Sequence, residues 1–334
     1  MMKRLLWCVL GIGLAACGDA SPDAGLDGSV DAAVDAAVDP VLDAGTADAG
    51  SPEDGLRTIT IDTGEFVFDA RTTGPDDGEF VLLLHGFPET SYEWRAQLLA
   101  LGEAGYRAVA PNQRGYSATA RPAAVEDYAL PQLVADVGAF ADALGASEFH
   151  LVGHDWGAVV AWAAGVAYPD RIQTLTTVSI PHPDAFAAEL SDMSSCQYMA
   201  SSYFDFFIME GAASTLLNAG GAGLRGFYTG LSPEAVDDYL AVLGTEEALG
   251  AALNWYRANI EERNLVGPAL GPVTVPTLFI WSDMDSASCR EGAEATADYV
   301  SGPYEFEVIT GVSHWVPELA PDEVNAALLR QLGR

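Results

Sequence analysis

Short unbroken apolar runs recur along the chain, separated by longer stretches in which apolar residues return at helical spacing. Runs at Arg57–Ile61, Glu65–Arg71, Phe80–Leu84, Tyr106–Ala110, Phe149–Gly153, Ile172–Ile180, Thr277–Trp281 and Tyr304–Ile309 predict strands. From Phe80 onward several of them lack polar alternation, as expected of parallel strands covered on both faces. Trp94–Glu103 and Leu130–Leu144 predict helices between them. The alternation predicts a doubly wound α/β architecture: a mostly parallel eight-stranded sheet with helices on both faces. Thr63-Gly64 reads as the turn of a hairpin joining the first two strands. Between residues 183 and 268 the strand signal stops, and a helical pattern rich in Tyr, Phe and Leu takes over. That region predicts a helical cap inserted over the carboxyl edge of the sheet, the edge at which open α/β sheets bind ligands. The core then comprises residues 56–182 and 269–334.

The first 55 residues follow a different pattern. Met1-Met2-Lys3-Arg4 precedes an apolar run from Leu5 to Ala16, too short for a comfortable membrane span and typical of a signal peptide over residues 1–16. The run ends Leu14-Ala15-Ala16-Cys17-Gly18, which resembles the lipobox of bacterial lipoproteins. The resemblance implies lipidation of Cys17, export to the cell envelope and attachment to a membrane surface through acyl chains. Residues 17–55 are low in complexity. Asp19, Asp23, Asp27, Asp31, Asp35, Asp39 and Asp43 recur at intervals of four among Ala, Gly, Val and Pro. On a helix these like charges would share one face and repel, and Gly25, Gly28 and Pro40 break any helix. A charge-extended, disordered tether is the expectation. The run lacks the Gly and Glu pattern of a calcium loop.

The formal net charge is −33. A field of that sign repels nucleic acid and anionic headgroups. Lys3, inside the signal, is the single lysine, so the mature chain has no side-chain amine for Schiff-base chemistry. Beyond Cys8 and Cys17, Cys196 and Cys289 remain. Export permits a disulfide between them, and two buried thiols fit the spacing equally. The one HxxxH spacing, His150 to His154, falls on a predicted strand rather than a helix, the other histidines are scattered and no CxxC occurs, so neither metal nor cofactor is expected.

Gly153-His154-Asp155-Trp156-Gly157 follows the strand at Phe149 directly and precedes a helical run, Ala158–Ala167. Small residues flank a central nucleophile where a strand turns sharply into a helix. The residue at the centre is Asp155 rather than serine. A carboxylate is already ionised and can displace a leaving group at a saturated carbon, forming an alkyl ester. His85-Gly86-Phe87-Pro88-Glu89 follows the third strand. Gly311-Val312-Ser313-His314-Trp315 follows the last one, and Ser282-Asp283-Met284-Asp285 the one before it.

With these motifs in these places, residues 57–332 resemble the epoxide hydrolase branch of the α/β-hydrolases. The resemblance implies an α/β-hydrolase fold, a small apolar epoxide and water as reactants, and a vicinal diol as product. It implies a cis bond before Pro88, and a pair of N–H donors, Phe87 and Trp156, for the oxyanion of the ester hydrolysis step. It makes His314 the base and an acid in the segment 283–285 its orienting partner: Asp285 by the family spacing, with Asp283 the rival. Two cap tyrosines are implied as proton donors to the leaving oxygen. Asn254-Trp255-Tyr256-Arg257 points to Tyr256. Ser202-Tyr203-Phe204 points to Tyr203, with Tyr198 a substitute. His85, Pro88 and Trp255, from the same motifs, are expected to line the substrate pocket. Haloalkane and haloacid dehalogenases share the Asp elbow, and a surface lipoprotein with a relic fold belongs to another class of explanation. Phe87 in place of Asn or Glu, and Trp156 in place of Arg, disfavour the dehalogenases. Retention of Asp155, Asp285 and His314 disfavours the relic. Oligomeric state is not legible.

Overall fold

Val81 and Leu83 pack into one apolar layer while Leu82 and Leu84, their neighbours in the same strand, pack into another. That alternation is the pleat of a strand whose two faces are both covered, and it explains why Phe80–Leu84 reads as an unbroken apolar run. In the computed structural model, which describes residues 55–333, eight strands form one sheet. They are β1 (Arg57–Asp62), β2 (Val67–Thr73), β3 (Phe80–Leu84), β4 (Arg107–Pro111), β5 (Phe149–His154), β6 (Ile172–Val178), β9 (Thr277–Ser282) and β10 (Tyr304–Ile309). Each of the eight sequence expectations is met within about two residues. The two-residue strands β7 (Ile260–Glu261) and β8 (Asn264–Leu265) pair separately as a small hairpin. They are too short to show a period in the sequence.

The sheet order is β1-β2-β4-β3-β5-β6-β9-β10. β2 runs antiparallel to both its neighbours and every other pairing is parallel. The helices Leu130–Ala143 and Trp156–Ala167 supply Leu133, Phe140, Val160 and Trp162 to one layer. Arg95–Glu103 and Pro321–Leu332 supply Leu98, Leu101, Val324 and Leu328 to the other. Between β6 and β9 lie the helices Pro183–Leu190, Cys196–Ala200, Phe204–Phe207, Ala212–Arg225, Pro233–Leu243 and Glu246–Asn259, followed by the β7–β8 hairpin. This is the segment in which the sequence predicts a cap.

The signal peptide, Cys17 and the tether as far as residue 54 lie outside the described residues. No helix among the described residues is long and apolar enough to cross a membrane. Cys196 and Cys289 are joined in a disulfide, with their Cα atoms 6.1 Å apart.

Candidate active site

Four strands deliver the chemistry-bearing residues to one edge of the sheet. β3 ends one residue before His85-Gly86-Phe87, β5 ends one residue before Asp155, β9 ends three residues before Asp285, and β10 ends five residues before His314. These strands are parallel, so all four ends lie at the carboxyl edge.

Asp155 is the hinge between β5 and the helix Trp156–Ala167, with φ 49° and ψ −121°. A positive φ is costly for a residue with a Cβ, and such costs collect at functional sites. Glycines make the turn sterically feasible. A Cβ on Gly157 would sit 2.1 Å from the Leu84 carbonyl oxygen, and one on Gly153 would sit 2.2 Å from that of Gly157. One on Gly86 would sit 2.4 Å from the Asp155 Cβ. The small residues of both motifs therefore exist to let two loops meet at one carboxylate.

The Phe87 N–H donates to Asp155 Oδ1 at 2.8 Å, and the Phe87–Pro88 bond is cis. Asp155 Oδ2 faces His314 Nε2 at 3.4 Å. On the far side of the ring, His314 Nδ1 meets both oxygens of Asp285 at 3.0 Å. Asp285 Oδ1 also accepts from the N–H groups of Ala287 (2.7 Å) and Ser288 (3.2 Å), which fixes its orientation. Asp283 is turned elsewhere and accepts from Gly311 N–H at 2.7 Å. The structure thus brings Asp155, His314 and Asp285 together and leaves Asp283 out. The Trp156 N–H is the first of its helix and has no intrahelical acceptor.

Electrostatics follow from this arrangement. Burial tends to raise the Asp155 carboxyl, but the His314 hydrogen bond and positive charge, with the Phe87 N–H, bring it below the usual carboxylate range. Burial tends to lower His314. The Asp285 charge and the hydrogen bonds to Asp155 and Asp285 outweigh it and hold the imidazole well above its usual value. In the free protein the pair is carboxylate and imidazolium.

A narrow apolar cavity opens over Asp155, lined by Trp156, Val159, Ile180, Phe186, Tyr203 and Leu265 among others. The Tyr203 ring lies 6.2 Å from the Tyr256 ring, which packs 5.2 Å from both Phe87 and Trp156. Burial first, and then the charge of Asp155 or the neighbouring phenol, push both tyrosines well above their ordinary value. Both therefore keep their protons. Tyr198 instead lies beneath the Arg263 guanidinium, 4.8 Å from its ring centre.

Three expectations are corrected. His85, Pro88 and Trp255 are not among the side chains that line the cavity. The Gln113 N–H donates to His85 Nε2 at 3.1 Å, so Nδ1 carries the proton and donates to the Gly86 carbonyl at 2.9 Å. Both ring nitrogens are spent on bracing loops, and burial lowers this histidine to about 4. The Trp255 N–H donates to the Arg114 carbonyl at 2.8 Å, and its ring backs Trp156. Pro88 lends its carbonyl to the Tyr228 hydroxyl at 2.6 Å, a contact with the segment inserted between β6 and β9.

Behind the site is a cluster that has no sequence signature. His154 Nε2 donates to the His314 carbonyl at 3.0 Å, and its Nδ1 faces Glu89 at 3.1 Å and Glu93 at 3.3 Å. Glu93 also accepts the Gly86 N–H at 3.3 Å. All three side chains are fully buried, and their ligand atoms lie within 4.8 Å of one another, a spacing open to a cation. The acidities describe proton sharing instead. Burial and then Glu93 raise Glu89 well above its usual value, and burial raises Glu93 to about 8.

The raised Glu93 has a consequence for stability. Between the ordinary glutamate value of 4.5 and about 8, the unfolded chain has lost a proton that the native chain keeps. Native stability therefore falls with rising pH across that window, by about 1.4 kcal/mol per unit. Glu93→Gln, a neutral isostere that can still accept from Gly86, matches the parent near pH 5. By about pH 8 it gains on the order of 4 kcal/mol. Thermal unfolding at both pH values reads this, and an equal offset at the two would rule it out.

A family model for the α/β-hydrolase fold matches residues 79–321. Epoxide hydrolase A of Mycobacterium tuberculosis is 31% identical over 320 residues, covering 85% of this chain and 98% of its own. Human epoxide hydrolase 4 is 33% identical over 259 residues, covering 73% and 70%. Among solved structures, a Bacillus megaterium epoxide hydrolase in complex with an inhibitor superimposes with a TM-score of 0.74 at 26% identity, over 83% of this chain and all of that one. Epoxide hydrolase A of Mycobacterium thermoresistibile gives 0.71 at 29% identity, over 83% and 98%. With an aspartate at the elbow, tyrosines over it and these relatives, the chain belongs to the α/β-hydrolase fold family, in its epoxide hydrolase branch.

Proposed function

We infer that the protein hydrolyses an apolar epoxide to a vicinal diol through an ester on Asp155. The carrying observation is a buried carboxylate, one oxygen held by a backbone N–H and the other 3.4 Å from His314 Nε2, at the wall of an apolar cavity that a phenol also lines. Asp155 Oδ2 attacks an oxirane carbon and the C–O bond breaks. Tyr203 and Tyr256 supply a proton to the oxygen released. Water then adds to the ester carbonyl carbon and loses its proton to His314, while charge gathers on Oδ1 beside the Phe87 and Trp156 N–H groups. The tetrahedral species collapses: the bond from the carbonyl carbon to Oδ2 breaks, Oδ2 leaves with the diol and takes the proton of the hydroxyl that water added, and Asp155 is regenerated as a carboxylate.

The first step switches on the base for the second. An alkyl ester carries no charge, so Asp155 stops raising His314. Burial then opposes Asp285 alone, the imidazolium gives up its proton, which replaces through solvent the one the phenols lost, and the ring becomes competent to take one from water.

In a single turnover with protein in excess in ¹⁸O-water, the label enters the Asp155 side chain and both diol oxygens stay unlabelled. Label in the diol during that turnover means direct attack by water and sinks the reading. Release of halide from haloalkanes at matching rates would point to a dehalogenase instead.

Tyr256→Phe or Tyr203→Phe alone slows ester formation by about tenfold, and the double variant by about 10³-fold, within the usual range for a general acid. Rapid-quench measurement of ester formation checks this, and an unimpaired double variant removes the phenols from the mechanism.

We also infer that Cys17 carries lipid, which would place the enzyme at an envelope membrane where apolar epoxides partition. Its support is the sequence Leu14–Gly18. Radiolabelled palmitate that is not lost in Cys17→Ser rejects it.

A further inference from the structure

We propose that Gln197 and the Cys196–Cys289 disulfide form a positioning staple that sets the cap tyrosine and the core acid relative to each other. The proposal rests on the roles given above to Tyr203 and Asp285. Cys196 begins the helix Cys196–Ala200, followed at once by the turn Ser201–Tyr203. Cys289 follows Asp285 by four residues and caps the helix Arg290–Ala295. The bond therefore spans 93 residues of sequence to join the two segments that carry these groups.

Gln197, fully buried, repeats the connection with hydrogen bonds. Its Nε2 donates to the Ala287 carbonyl at 2.8 Å and to Ser201 Oγ at 2.9 Å, and its Oε1 accepts the Cys289 N–H at 2.9 Å. The Ala287 carbonyl is thus held by Gln197, while the N–H of the same residue holds Asp285 Oδ1 at 2.7 Å. The same amide reaches Ser201, two residues before Tyr203. The core side is fixed further: Ser288 Oγ donates to the Ser179 carbonyl at 2.7 Å and accepts the Trp281 N–H at 2.9 Å. A displacement at Cys196–Gln197 must pass to the acid loop, because neither the amide nor the disulfide can stretch. A buried amide with its donors and acceptor engaged across two segments is costly to leave half-paired. Neither Gln197 nor the cysteines line the cavity, so their effect on rate is through position.

Cys196 is exposed and Cys289 buried, so a small thiol can attack the Cys196 sulfur. Cys289 then leaves as a thiolate. A second thiol completes the exchange, two thiols become one disulfide, and the protein gains two electrons and two protons.

The test compares the parent, Gln197→Met, Cys196→Ser/Cys289→Ser and the parent reduced with dithiothreitol under native conditions, with reduction verified by a mass gain of two hydrogens. Rapid quench measures ester formation and ester hydrolysis separately, and hydrolysis is followed against pH. The expected result is a loss of about 10- to 100-fold in each half-reaction in folded protein, as small misplacements of reacting groups cost. The acid limb of hydrolysis should also move to lower pH as Asp285 loosens its hold on His314. Unchanged rates and limb in reduced parent, even with a lowered Tm, reduce the staple to a stabilising device and overturn the proposal. The reduced parent keeps the test decisive if the variants do not fold. A parent that forms no ester from any epoxide indicts the proposed function instead, independently of the staple.

Discussion

Asp155→Asn abolishes turnover and yields no covalent adduct, a loss on the order of 10⁴-fold or more. The substitution keeps the shape of the side chain, so an Asn oxygen can still accept the Phe87 N–H now donated at 2.8 Å. What disappears is the anionic oxygen. An amide oxygen has little power to displace an alkoxide at saturated carbon, and no neighbouring residue offers an equivalent carboxylate to the cavity: of the lining side chains, Asp155 is the only acidic one. The change also removes the charge that raises His314, so the imidazole pKa falls in the variant. Mass spectrometry of protein mixed with excess epoxide reads the adduct, and NMR titration of His314 reads the second effect. Turnover above about one-hundredth of the parent, with a lowered His314 pKa proving that the substitution took effect, would mean that water attacks the oxirane directly.

Much of this fold is legible in sequence because its parallel strands are buried on both faces. β3 is apolar at every position and β5 is interrupted only by His150 and His154, a density that no surface strand or amphipathic helix shares. The elbow is legible for a related reason. Gly153 and Gly157 leave no room for a Cβ against backbone, so their identity and spacing follow from the turn itself. Other features depend on contacts that sequence distance hides. Whether Asp283 or Asp285 meets His314 turns on the Gly311 N–H that engages Asp283. His85 and Trp255 belong to motifs, yet backbone carbonyls at Gly86 and Arg114 direct their polar edges. Glu93 reads as an ordinary loop charge until β5 brings His154 against it. A buried carboxyl of this kind leaves no periodic trace.

His314→Gln should separate the two half-reactions. Attack on the oxirane needs only the Asp155 carboxylate and proton donors in the cap, so ester formation proceeds. Hydrolysis needs a group that accepts a proton from water, and a neutral amide cannot do so near pH 8. The variant therefore consumes one equivalent of epoxide in a burst and then stalls, with the ester visible as a mass increase equal to the substrate. Loss of a general base at this step slows hydrolysis about 10²- to 10⁴-fold. The pH profile gives an independent check. In the parent, ester hydrolysis rises with pH through the His314 pKa of the esterified enzyme. That value lies below the one in the free enzyme, because the hydrogen bond and charge that Asp155 supplies across 3.4 Å are gone. The deprotonated ring is the active form, so activity is lost on the acid side of this pKa and retained above it. In His314→Gln the limb disappears along with the rate. A variant that turns over without a burst, or that keeps the same acid limb, places the base elsewhere and leaves the pairing of His314 with Asp285 without a catalytic purpose.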